Sequence, residues 1–385
     1  MKDFVTDTIK NLPPSGIRQF FELVIGMEDV ISLGVGEPDF STPWNICEAA
    51  LYSIENGLTS YTSNSGLLEL RQLISKHILK RSNVRFRPEK EILITVGVSE
   101  GLDLAMRTIL DPGQELVIPE PCYVSYAPTV ILAGGKPVAI STDPAKGFKL
   151  TPEELEAAIT DKTRAILINY PCNPTGASYS ADELEALAAV AKKHDLLIMS
   201  DEIYDELTYD HKHTPMVMCP SAAGRTLYFN GFSKAHAMTG WRIGYVAGPA
   251  DIIAGMTKIH QYTMLCAPIS GQVAACEALK NGAPAVEKMK TAYHRRRNFI
   301  VEGLNEIGLN CHMPEGSFYV FPSIRKFGLS STEFCTRLLT EEKVAVVPGT
   351  AFGQCGEGHV RMCYAVDIED IKTALSRIKN FCSRL

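Results

Sequence analysis

No stretch of this sequence is apolar for long enough to span a bilayer, and its first residues, MKDFVTDTIKNLPPSG, lack the apolar core of a secretion signal. The 11 cysteines are odd in number, scattered, and nowhere spaced C-x-x-C. That pattern argues against a zinc ribbon or a disulfide framework, so a reducing, cytoplasmic setting is expected. The 9 histidines show no ligand spacing, and no metal is expected. Basic charge is not in excess: 38 Lys and Arg against 44 Asp and Glu leave a formal net charge of −6. A chain so balanced has no general attraction for nucleic acid or an anionic membrane, and neither is an expected partner. Low-complexity segments and internal repeats are also missing. What is present is a 385-residue chain, 45% hydrophobic and 21% charged, the balance of an ordinary globule with room for more than one domain.

Short apolar runs alternate with helical patterns through the middle of the chain. Segments 92–96, 115–118, 164–168, 196–199, 226–229 and 243–247 read as strands. A helix is expected from about Ser99, with Leu102, Ala105, Met106 and Ile109 on one face, and another carries Leu184, Leu187, Ala188 and Ala191. Strands apolar on both faces and separated by helices predict an α/β fold with a mostly parallel sheet covered on both sides. In such sheets ligands bind beyond the carboxyl ends of the strands. From about residue 280 the pattern changes to a charged helix (285–307), a strand segment (316–321), a helix (332–342), strands at 344–347 and 359–362, and a final helix. We therefore expect a large domain over 46–279 and a smaller α+β domain over 280–385. The arm 1–45, with Pro13-Pro14 and Gly36-Glu37-Pro38-Asp39, is expected to lie beside the latter. Arg295-Arg296-Arg297 reads as a solvated helix face.

The residues that carry chemistry follow the strands. Asn230-Gly231-Phe232-Ser233-Lys234 leads into Gly240-Trp241-Arg242-Ile243-Gly244. A lysine alone after a strand is ordinarily solvated, and an arginine alone is ordinarily an ion-pair partner. Small residues at 231, 233, 240 and 244 change that reading, because they let backbone approach a bulky ligand. Lys234 then offers an amine nucleophile, and Arg242 a planar guanidinium suited to phosphate. Asp201 follows the strand 196–199. It could cap a helix, or it could face a bound cation such as the protonated pyridine nitrogen of pyridoxal phosphate. Tyr204 and Asn173, the latter in Asn173-Pro174-Thr175-Gly176, could donate to that cofactor's phenolic oxygen. Gly97-Val98-Ser99 opens a helix, where free N–H groups suit a phosphate and a serine could equally be a plain N-cap. His236 reads as structural.

In this order, these motifs resemble the class I aminotransferases of fold type I, over nearly the whole chain. Gly36-Glu37-Pro38-Asp39, Tyr61, Pro348-Gly349 and Val360-Arg361 add to the likeness, which is strongest to the branch of bacterial and archaeal aspartate and aromatic aminotransferases. The resemblance implies a mostly parallel sheet of the seven-stranded type covered by helices and pyridoxal 5′-phosphate as cofactor, and it assigns roles. Lys234 holds the cofactor covalently and later moves a proton, while Asp201 pairs with the ring nitrogen. Tyr204 and Asn173 bind the phenolic oxygen, and Tyr123 stacks on the ring. Val98, Ser99, Ser233 and Arg242 hold the phosphate, and Tyr61 reaches it from the neighbouring subunit of a homodimer. Arg361 takes the substrate α-carboxylate with the Gly36 backbone, and Asn173 and Tyr123 also face the substrate. The segment 15–18 is expected to close over the pocket. Two positions depart from the family: Ser99 stands where some aspartate-specific relatives carry lysine, and Tyr123 where Trp or Phe is common. The implied activity is transfer of an amino group from an aromatic or aspartate-like L-amino acid to a 2-oxo acid such as 2-oxoglutarate. A carbon–sulfur β-lyase would share every cofactor motif. A non-catalytic regulator would need an added DNA-binding segment, for which the chain has no room ahead of Gly36.

Overall fold

A computed structural model describes residues 3–14, 16 and 27–385. After a short strand β1 (Ile31–Ser32) come the seven strands of the main sheet. These are β2 (Ile92–Thr95), β3 (Glu115–Glu120), β4 (Lys136–Ser141), β5 (Thr163–Asn169), β6 (Leu197–Asp201), β7 (Thr226–Gly231) and β8 (Gly244–Ala247). Their order across the sheet is β2-β8-β7-β6-β5-β3-β4. Neighbours from β4 to β7 pair in parallel, and β8 runs against both β7 and β2. This is the expected α/β architecture with one strand more than the apolar runs indicated. β4 escapes that signal because it is an edge strand whose residues alternate between exposed and half-buried. Pro137 is tolerated there, where one side of the strand needs no partner.

Successive residues of each strand point to opposite faces, so each apolar strand feeds two cores. Leu93 packs with the helices Gly97–Ile109 and Ala250–Thr263, whereas Ile92 and Ile94 pack with Trp44–Glu55, Leu68–Ser82 and Ile269–Asn281. Each such side chain contributes roughly 1.5–3 kcal/mol on burial. The helix Ala181–Lys193 shows how local sequence supports this layer. Ser180 and Glu183 form a reciprocal capping box at its start, and Leu184, Leu187, Ala188 and Ala191 form its buried stripe.

Towards the C-terminus lie β9 (Tyr319–Val320), β10 (Val344–Ala345), β11 (Val347–Pro348) and β12 (Val360–Cys363). The expected strand at 344–347 is two strands: β10 pairs in parallel with β1, and β11 pairs with β12 in a small sheet ordered β11-β12-β9. The β1–β10 pair brings the chain around residues 31–36 against this region. Helices Ala283–Ile307, Ser331–Glu342 and Ile368–Cys382 share its core through Leu304, Phe334, Ile371 and Phe381. The triple arginine is not simply a solvated face. Arg297 is buried on the stripe of Tyr293, Ile300, Val301 and Leu304. It donates to Asp210 through both Nη atoms, at 2.6 and 3.2 Å, and to the Pro314 carbonyl at 3.0 Å. Helical spacing put one of three consecutive charges inward, and the fold satisfied it with a forked acceptor.

Candidate active site

The strand β7 ends at Gly231, whose partner in β8 is Gly244. A side chain at either position would collide: a Cβ on Gly244 would lie 2.6 Å from the Val98 amide nitrogen, and one on Gly231 would lie 3.0 Å from the Gly244 Cα. These glycines let the two strands press against the N-terminus of helix Gly97–Ile109. Gly97 has φ +72°, and a Cβ there would strike the Arg242 guanidinium. Arg242 is anchored by donation to the Thr239 carbonyl at 3.0 Å. Free helix N–H groups, the positive end of the helix dipole and a guanidinium therefore meet in one cradle suited to a phosphate. Ser99 lies in the first turn, not at the N-cap. That place belongs to Val96, whose N–H is satisfied by Glu100 at 2.5 Å.

Asp201 is the last residue of β6 and faces Asn169, the last of β5. It is buried and does not cap a helix. Its Oδ2 accepts from the Tyr126 hydroxyl at 2.7 Å and its Oδ1 from the Ile203 N–H at 3.2 Å. Burial pushes its pKa up to about 6, against the pull of the Tyr126 and Ile203 hydrogen bonds. Among the described residues no cation donates to it. Asn169 ties the neighbouring loop: its Nδ2 donates to the Asp201 carbonyl at 2.9 Å, and its Oδ1 accepts from the Asn173 N–H at 2.9 Å.

Arg361 lies on β12, the central strand of the small sheet, and is 2% exposed. Its Nη1 donates to the Asn173 Oδ1 at 3.1 Å and its Nη2 to the Gly34 carbonyl at 2.5 Å. The guanidinium carbon stands 4.6 Å from the Tyr319 ring centroid and 4.8 Å from that of Phe352. Its Nε has no partner among the described residues. Because Arg361 takes the Asn173 carbonyl oxygen, the Asn173 Nδ2 is left as a donor.

Lys234 Nζ donates to the Gly36 carbonyl at 2.7 Å. Burial lowers its pKa to about 8, with Arg361 and Arg242 acting in the same direction and Cys363 and Glu37 opposing. A fraction of the amine is thus neutral near physiological pH, as a nucleophile or base must be. The Tyr204 hydroxyl lies 3.0 Å from that of Tyr319, and burial holds its pKa well above the ordinary value, so it remains a donor.

Every expected site residue except Tyr61 lines one cavity of about 720 Å³. Tyr61 is 82% exposed and lies elsewhere on the chain surface. Of the segment 15–18 only Gly16 is among the described residues, with its Cα region against Ala351; the rest lies outside them. The sequence reading missed Asn169, Tyr126 and Tyr319. Tyr126 and Tyr319 look like core aromatics, and only the fold gives their hydroxyls partners. Asn169 stood beside Asn173 at a strand end, and that placement was the available signal.

A family model described as "Aminotransferase class I and II" matches residues 28–378. The chain belongs to the class I and II aminotransferases. The YugH protein of Bacillus subtilis (strain 168) is 54% identical over 381 residues, covering 99% of each chain. The aspartate aminotransferase of Pyrococcus abyssi is 45% identical, covering 97% of each, and the aromatic-amino-acid aminotransferase 2 of Thermococcus litoralis 44%, also covering 97% of each. Among solved structures, the aspartate aminotransferase from Thermus thermophilus with maleate aligns with a TM-score of 0.94 at 38% identity, covering 98% of this chain and 100% of that one. This aminotransferase is a pyridoxal-phosphate enzyme of fold type I. Its residues fit that cofactor: Asp201 is a buried carboxylate with no cationic donor among the described residues, which a protonated ring nitrogen would supply, and the glycine-built cradle beside Arg242 fits the phosphate.

Proposed function

We propose that this aminotransferase moves the amino group of an aromatic or aspartate-like L-amino acid to a 2-oxo acid such as 2-oxoglutarate, in two half-reactions through one site. The observation that carries the reading is the placement of Arg361. Its fork, fixed by Asn173 and Gly34, opens on the same cavity as the Lys234 amine, which rests on Gly36. A carboxylate held there sets the substrate α-carbon beside the amine. The names of the Pyrococcus and Thermococcus relatives support the aspartate and aromatic alternatives.

Pyridoxal phosphate, when bound, supplies an electrophilic carbon and a ring that takes up the electrons left by a departing α-proton. The chain's own residues do the rest. Lys234 anchors the cofactor and, once free, carries the α-proton. Asp201 keeps the ring nitrogen protonated. Tyr204 and the Asn173 amide donate to the phenolic oxygen, and Tyr123 packs on the ring. Ser233, Arg242 and the amides of Val98 and Ser99 hold the phosphate. Arg361 binds the α-carboxylate of either substrate bidentately, so side-chain choice rests with the rest of the pocket. We also propose a homodimer in which Tyr61 completes the partner's phosphate site, and a cytoplasmic setting. The division into a large domain over 46–279 and a small one over 280–385 joined by 1–45 is part of the same proposal.

A panel of L-amino donors with 2-oxoglutarate tests the activity. Turnover of aromatic or acidic donors is expected only when the oxo acid is present. Release of ammonia and pyruvate from cysteine-like donors without any oxo acid, in place of transfer, would make the protein a β-lyase. No turnover in either assay would leave the reading without support.

A further inference from the structure

Tyr204 carries a single O–H. If that proton goes to the cofactor's phenolic oxygen, any hydroxyl beside Tyr204 must donate to it and not accept from it. That neighbour is Tyr319, 3.0 Å away. Among the described residues Tyr319 has one competing acceptor, the Gly36 carbonyl, at 3.4 Å. The same carbonyl accepts from Lys234 Nζ at the shorter distance of 2.7 Å. With Lys234 meeting the demand of Gly36, the better-placed acceptor for the Tyr319 proton is Tyr204. Tyr319 has little freedom to do otherwise. It is 1% exposed, its backbone pairs with Cys363 of β12, and its ring is held between the Arg361 guanidinium at 4.6 Å and the Tyr204 ring at 5.9 Å. Gly36 is shaped to this contact, since a Cβ there would strike the Tyr319 hydroxyl.

We propose that Tyr319 is a positioning residue that donates to Tyr204, while Lys234 occupies the Gly36 carbonyl, and so turns the Tyr204 O–H toward the cofactor. The proposal rests on the reading of Tyr204 as a donor to the cofactor oxygen. It makes the lysine and the tyrosine pair interdependent. When Lys234 leaves Gly36, that carbonyl competes more strongly for the Tyr319 proton and the support of Tyr204 weakens.

Pyridoxamine 5′-phosphate, the amine form of the cofactor, leaves Lys234 free and is the probe. Its Kd is measured for the cofactor-free full chain as wild type, Tyr204→Phe, Tyr319→Phe and the double variant. We expect Tyr204→Phe to weaken binding about ten-fold and Tyr319→Phe about three- to five-fold, as befits lost hydrogen bonds. The double variant should bind no more weakly than Tyr204→Phe alone, because Tyr319 acts through a hydroxyl already removed. A purely structural role would multiply the two losses. Unchanged binding by Tyr204→Phe overturns the role of Tyr204 and the proposal with it. A loss with Tyr204→Phe but none with Tyr319→Phe, or losses that multiply, leaves Tyr204 in place and overturns the role of Tyr319. If Tyr319→Phe does not fold, Gly36→Ala displaces the same hydroxyl and should give the same few-fold loss, absent in the Tyr204→Phe background.

Discussion

Burying a carboxylate that no cation donates to costs free energy, and in protein stripped of its cofactor Asp201, with no such donor among the described residues, bears that cost. Its folded pKa of about 6 stands above the ordinary 3.8. Between those values the folded state holds more protons than the unfolded one, so stability falls as pH rises from about 4 to 6 and the penalty is complete above 6. The size is on the order of 2–3 kcal/mol. Asp201→Asn keeps an acceptor for the Ile203 N–H and removes the charge. Urea melts of the cofactor-free proteins should find the variant the more stable at pH 7.5, by roughly 1–2 kcal/mol, with the gap closing toward pH 4. The same variant should retain phosphate anchoring yet lose most turnover, because the ring nitrogen loses its partner. A wild type more stable than the variant at pH 7.5 would show that the carboxylate is compensated by something other than the cofactor. At this scale the sequence pointed most directly to reactive groups at or beside strand ends: Lys234, Asp201 and Arg242 could be named before any coordinates, and the fold gathers them on one cavity. It was silent on Tyr126 and Tyr319, since a tyrosine that orients a neighbour and a tyrosine that fills a core are the same letter until their hydroxyls find partners.

Elements position these residues through contacts that only glycine permits. Gly231 and Gly244 lie opposite each other in β7 and β8, and Gly244 lies under the first turn of helix Gly97–Ile109. Gly244→Ala would put a methyl 2.6 Å from the Val98 nitrogen, against backbone that has no side chain to rotate away. The helix N-terminus must shift, and pyridoxal-phosphate affinity is expected to fall about ten-fold or more, read by loss of the visible band on dilution. Gly240→Ala is the control. Nothing lies within 4 Å of its added carbon, so its affinity should stay within about two-fold of wild type. Equal behaviour of the two variants would remove the cradle argument. The same glycines made this element legible, as small residues around Lys234 and Arg242 had no other evident use. The half-exposed edge strand β4 was not legible, because periodicity reports burial and β4 has little. Nor was the break between β10 and β11. Val344 to Val347 is one apolar run, and only the pairing of Ala345 with β1 and of Val347 with β12 divides it.

The chain as a whole leaves several large aromatic side chains uncovered. Trp44 and Tyr52 lie on one helix, Tyr262 near the end of another, and Tyr61 between them in sequence, with exposures of 66% or more. Asn45 donates to Glu277 at 2.9 Å, joining the first helix to Ile269–Asn281, and Asn64 donates to the Leu265 carbonyl at 2.7 Å, joining the Tyr61 loop to the end of the Tyr262 helix. The proposed homodimer would cover such side chains on both molecules at once if they lie at its two-fold interface. In that proposed arrangement Tyr61, which does not line its own cavity, would reach its partner's phosphate cradle. Mixing two inactive kinds of subunit tests the geometry. Tyr61→Phe and Lys234→Ala chains, differently tagged so that exchange is seen directly, are combined in equal amounts at a cofactor level too low to load the Tyr61→Phe homodimer. If sites are shared, each hybrid dimer has one site with its own Lys234 and the partner's Tyr61, and one site lacking both. Random exchange makes half the dimers hybrid, so recovery should approach about a quarter of the wild-type rate. If Tyr61 serves its own subunit, every site in the mixture lacks either the lysine or the tyrosine. Full exchange without recovered activity would then assign Tyr61 to its own subunit and overturn the shared site.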